Sequence, residues 1–113
     1  MKQRILDLLN DEIYDICDEF EQQSVAELVI ALVGRLERNL ATMGRVVSCE
    51  LGKYIFKVCN KHGGFVSCSD TEEGMTGVSS TMYYPYYQDA DDEDAGLKNL
   101  IEMVNEAFYT CTH

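Results

Sequence analysis

The sequence predicts an α+β fold in a single domain over residues 1–113. It comprises two N-terminal helices, a four-stranded antiparallel meander and a C-terminal helix, with the helices packed on one sheet face. Three observations predict this. Apolar residues recur at helical spacing near both ends of the chain. Between residues 45 and 87 the period changes to two, as a half-buried strand requires. Short, glycine-bearing turns separate the alternating segments, and such turns join antiparallel neighbours rather than parallel ones.

The first helix carries Ile5, Leu9, Ile13, Ile16 and Phe20 on one stripe. Ser24 and Glu27 form an S-x-x-E capping box that opens the second. Its stripe runs through Val25, Val29, Leu32, Leu36, Leu40 and Met43, widened by Leu28, Ile30 and Val33, so this helix is expected to be the most buried. Gly34 costs it about 1 kcal/mol against alanine, and Gly44 suits the stop just past its end.

Residues 45–51 and 54–59 alternate around a Gly52-Lys53 turn. Lys61-His62-Gly63-Gly64 makes the next turn, before a strand at 65–70. Residues 71–77 read as a polar loop and 78–84 as a fourth strand, which Pro85 stops or confines to an edge. An acidic loop over 88–96 leads to the last helix, striped by Leu97, Leu100, Ile101, Val104, Phe108 and Cys111.

The chain is long enough for one domain, and 46% hydrophobic residues suffice for a core. Its longest apolar run, 28–33, is far short of the ~18 residues of a membrane span. The N-terminal segment runs straight into Asp and Glu, unlike a signal peptide. Five cysteines at irregular spacing, an odd number, suit reduced thiols in the cytoplasm.

Charge is the most informative property. Twenty acidic residues face nine Lys and Arg, for a net charge of −11. That balance disfavours direct binding to nucleic acid or to an anionic membrane, whose affinity comes from clustered cations. The acid is concentrated at residues 1–23, with net −5, and 71–96, with net −7, while 45–70 carry +2. On one continuous first helix, Asp7, Asp11, Asp15 and Asp18 line a stripe opposite the apolar one, flanked by Glu12, Glu19 and Glu21. At about 1.5 Å per residue these acids span about 21 Å. That is one charge per about 3 Å, near the ~3.4 Å of a DNA strand. Asp89, Asp91, Asp92, Glu93 and Asp94 form a second acidic block. Solvated helix faces, and acids before a helix that favour its dipole, are the ordinary explanations of both.

Tyr83, Tyr84, Tyr86 and Tyr87 surround Pro85. Alternation buries only about half of these rings. Tyrosine supplies rigid contact area at interfaces, and the neighbouring acids would form a charged rim for a basic partner. An aromatic edge strand packed on the sheet is the competing reading.

Other site chemistries find weaker support. Asp91, Glu93, Gly96 and Glu102 fall at EF-hand positions, but Ala95 and Lys98 spoil the match. Cys59 and His62 have C-x2-H spacing, and Cys68 would face Cys59 if the hairpin closed on Gly63-Gly64. Zinc needs four ligands, however, and the chain has no CxxC pair. His62 is the best-placed base for a thiol nucleophile, yet a turn histidine beside buried thiols is more often structural. No cofactor, metal or catalytic residue is therefore assigned, and the chain is not expected to be an enzyme.

The profile suits a small acidic, non-enzymatic inhibitor or interaction protein. Its partner would present a basic surface, as a nuclease or nucleic-acid-binding complex does. The acids would mimic nucleic acid, in the manner of anti-CRISPR or anti-restriction proteins of phages and mobile elements, or of nuclease immunity proteins. The alternative is a homodimeric structural or accessory domain joined through a tyrosine-rich edge strand.

Overall fold

Among the described residues of the computed structural model, the elements follow in the order α1 (Lys2–Asp11), α2 (Ile16–Glu19), α3 (Gln22–Arg38), β1 (Val46–Leu51), β2 (Tyr54–Cys59), β3 (Phe65–Asp70), β4 (Thr76–Ser79) and α4 (Glu93–Thr112). The structure describes residues 2–38, 46–59, 65–70, 76–79 and 93–113. It is α+β, with helices at both ends of the chain and an antiparallel sheet between them.

The helix predicted over 5–20 is broken. α1 ends at Asp11 and the chain leaves the helical path until Ile16. Helical spacing would have placed Ile13 beside Leu9 and Ile16. Instead Ile13 is 94% exposed, while Tyr14 is only 4% exposed. The break trades an isoleucine for an aromatic ring in the core. It also lets α1 and the short α2 both rest on α3.

A break creates a helix start whose backbone N–H groups lack partners. Asp15 stands at the N-cap of α2 but makes no side-chain cap. Asn105 of α4 does so from 89 residues away, its Oδ1 accepting from the Ile16 N–H at 2.9 Å. Replacing Asn105 by alanine should cost about 1–2 kcal/mol. A urea titration would show this as a lower midpoint at unchanged slope.

α3 starts at Gln22, ahead of the predicted capping box. The Val25 N–H donates to the Glu21 carbonyl at 3.1 Å, so Glu21 begins the helical bonding and Ser24 lies inside the helix. The cause lies just upstream, where Phe20 is extended and redirects the chain as α2 ends. α3 buries Val25, Ala26, Leu28, Val29, Leu32, Val33 and Leu36, as its wide apolar surface requires. The expected stop at Gly44 lies outside the described residues, as does the turn at 61–64.

The sheet has the order β1-β2-β3-β4, an antiparallel meander. Leu51 pairs with Tyr54 across Gly52-Lys53, so that turn is as predicted. β4 begins at Thr76, inside the stretch expected to be loop, because Thr76 and Gly77 already pair with Ser69 and Cys68. The rest of the predicted strand, 80–84, is outside the described residues.

Val47, Cys49, Tyr54, Phe56, Val58, Val66 and Cys68 share one sheet face and one core with the helices. α3 lies against β1, and α4 lies against β3 and β4. α1 rests chiefly on α3 rather than on the sheet. Its two buried side chains, Ile5 and Leu9, make a stripe too narrow to reach past α3. On the opposite sheet face Val46, Ser48, Glu50 and Lys57 are exposed, although Cys59 and Ser67 are buried there. Asp70 is buried at the sheet's end, 3.2 Å from the Lys53 ammonium.

Candidate partner-binding surface

Asp7, Asp11, Asp15 and Asp18 are all exposed. They do not form the single stripe that one helix would give, because the break at residues 12–15 separates them into two groups. Asp7 and Asp11 belong to α1, and Asp7 accepts from the Gln3 side chain at 3.0 Å. Asp15 precedes α2, 3.5 Å from the Asn105 amide nitrogen, and Asp18 lies within α2. The DNA-like charge spacing rested on a continuous helical rise, so it does not hold across the break.

What the break builds instead is a cluster to which α4 contributes. Glu12 pairs with Lys98 of α4 at 2.9 Å. The Glu12 carboxylate, followed by Glu102 and Asp11, raises the Lys98 pKa. Glu102 also acts on Tyr14: burial first, then the negative charges of Glu12 and Glu102, push the Tyr14 hydroxyl up to about 12. Sequence spacing missed Glu102, Lys98 and Tyr14. In the sequence Glu102 is weighed only as the last position of an EF-hand pattern, and only the packing of the N-terminal segment against α4 brings it here.

A cleft of about 280 Å³ opens at the break, lined by Leu9, Asn10, Glu12, Ile13, Tyr14, Cys17, Asp18 and Gln22. A larger depression of about 410 Å³ lies beside β1, where Arg35 and Lys57 face Glu50. Its charges are of both signs, and Arg35 is held there by donating to the Ser48 carbonyl.

Glu93 and Asp94 belong to the first turn of α4 rather than to a preceding loop. A helix that begins at Glu93 runs through the segment that an EF-hand would need as loop. Tyr83, Tyr84, Tyr86, Tyr87, Asp89, Asp91 and Asp92 lie outside the described residues.

Cys59 and Cys68 do not face each other. Cys59 pairs with Phe65, and Cys68 pairs with Phe56 on the other sheet face. The hairpin closes between Cys59 and Phe65, which displaces the register that would have joined the two cysteines. Among the described residues no three His, Cys, Asp or Glu side chains come together to hold a metal ion. Burial, then the Cys111 thiol beside it, pushes the Cys68 thiol up, and burial also raises Cys17. Both are held as thiols, the poorly nucleophilic form.

No described helix is long and apolar enough to cross a membrane. Comparison with protein-family models, with curated proteins and with solved structures found no match in any of the three.

Proposed function

We propose that this chain is a small acidic interaction protein that binds a basic surface on a protein partner, of the kind found on nucleases and nucleic-acid-binding complexes. The observation that carries this reading is the exposed acid gathered where α1, α2 and α4 meet. Asp11, Glu12, Asp15, Asp18 and Glu102 are all exposed, and they come from α1, α2, α4 and the break between the first two, held together by a common core. Acids on a rigid scaffold present a fixed negative field, which steers a cationic partner and fixes its orientation. The reading follows from charge and placement and involves no reaction. Inhibition of a nuclease would follow from competition: the bound protein would occupy the basic surface that nucleic acid needs.

Affinity capture from bacterial lysate at low and moderate salt tests it, with the retained proteins identified by mass spectrometry. A nucleic-acid-handling protein retained at low salt should be released as screening shortens the reach of the charges. The Asp11→Asn, Asp15→Asn and Asp18→Asn variant should retain the fold and lose the partner. Equal retention by this variant would reject the surface.

Among the described residues β4 stands at one end of the sheet order, where a second copy could add its own edge. This favours the homodimer as a second reading. Sedimentation equilibrium giving twice the mass of one chain would support it.

A further inference from the structure

The outer edge of β1 combines an open backbone with one specific obstruction. β1 stands at the end of the sheet order away from β4, and among the described residues only β2 pairs with it. The two-residue turn makes Leu51 and Tyr54 a hydrogen-bonded pair, so by alternation Cys49 and Val47 bond to β2 as well. The backbone groups of Val46, Ser48 and Glu50 therefore point away from the sheet. All three residues are exposed, Val46 by 50%. A row of outward N–H and C=O groups is a template for another strand. The middle of this row is occupied, however, because Arg35 of α3 donates to the Ser48 carbonyl.

The row is complementary to itself. Only one antiparallel register sets all three outward residues of two copies opposite one another: Ser48 meets Ser48, and Val46 meets Glu50 in both directions. That register has a two-fold axis through Ser48, as an isologous interface requires. Arg35 opposes it twice. Its guanidinium holds the carbonyl that must accept at the axis. A second copy would also bring its own guanidinium to the same place, and like charges there repel. We propose that Arg35 guards the β1 edge against a second copy of this chain, holding closed an antiparallel β1–β1 interface centred on Ser48. Native sheets commonly protect an edge with a charged side chain. The guard concerns the edge away from β4 and does not depend on the acidic-surface reading.

Sedimentation velocity of the full chain over a concentration series tests it, with circular dichroism to confirm the fold of each variant. Arg35 is exposed on a helix, where alanine is well tolerated. Arg35→Ala should self-associate about tenfold more tightly than the wild-type chain, or more, because the Ser48 carbonyl is released and the like charge is gone. Hydrogen exchange read by NMR should then show slowed amides at Val46, Ser48 and Glu50, which exchange quickly in the wild-type chain. Adding Ser48→Pro to Arg35→Ala removes the N–H at the axis without touching the bonds to β2. Association should return to the wild-type level. Equal association of Arg35→Ala and the wild-type chain would overturn the guard. Association that rises but survives Ser48→Pro, or that leaves the three amides unprotected, would overturn β1 as the interface.

Discussion

Replacing Phe108 by alanine should lower folding stability by about 4 kcal/mol, the range for deleting a large ring from a core. Phe108 of α4 is 3% exposed and meets Tyr54 of β2 edge-on at a centroid distance of 5.1 Å. It also meets Phe20, the residue that ends α2, at 6.0 Å. Phe20 in turn contacts Tyr54 at 6.1 Å. One ring therefore ties the C-terminal helix to the sheet and to the end of the broken N-terminal segment. Its loss leaves a cavity bordered by two rings and removes two aromatic pairs, each worth about 0.5–1.5 kcal/mol beyond burial. Guanidinium denaturation monitored by circular dichroism measures the effect. Phe108→Leu, which fills most of the volume, should recover about half. A loss below about 1 kcal/mol for the alanine variant would show that the three elements are not joined there.

Gly52→Ala should cost about 2 kcal/mol, although it adds one methyl group at an exposed turn. Gly52 has φ of +59°, in the left-handed region where a side chain costs about 1–2 kcal/mol. A Cβ there would also lie 2.9 Å from the Phe20 ring, so the ring must shift within its aromatic cluster. The two causes separate in a double-mutant cycle. In a Phe20→Ala background the backbone strain remains and the steric part disappears, so the cost of Gly52→Ala should fall. An unchanged cost would assign the whole effect to the backbone.

The β1–β2 hairpin was fully legible because a two-residue turn containing glycine fixes register locally, and Leu51 does pair with Tyr54. The α3 surface and the α4 stripe were legible because each repeats over several turns, so that one misplaced residue cannot reverse the pattern. The first helix was misread for the opposite reason. Its stripe had five apolar positions, and Ile13 satisfied the helical spacing perfectly well. Local periodicity carries no information about whether Tyr14, one position later, finds a better place in the core. The start of α4 was read late because Glu93 and Asp94 were counted as loop acids, whereas acids are also common in the first turn of a helix.

The candidate site divides along the same line. Exposure of Asp7, Asp11, Asp15 and Asp18 was legible, since charged residues opposite an apolar stripe face water. Their arrangement was not, because it depends on the path of residues 12–15. The cleft was not legible because it too depends on the path of residues 12–15, and the roles of Lys98 and Glu102 were not, because they act on Glu12 and Tyr14 from nearly ninety residues away.

By itself, then, the sequence determined the α+β class, the meander and its first turn, the core faces of α3 and α4, and the strongly acidic character. All of these follow from composition or from patterns within a few residues. The tertiary structure alone decided where the first helix breaks, that Asn105 caps α2, that Cys59 and Cys68 lie on opposite faces, and which acids gather around Tyr14. These depend on long-range packing, in which burying one ring outweighs the propensity of a short segment to continue as helix.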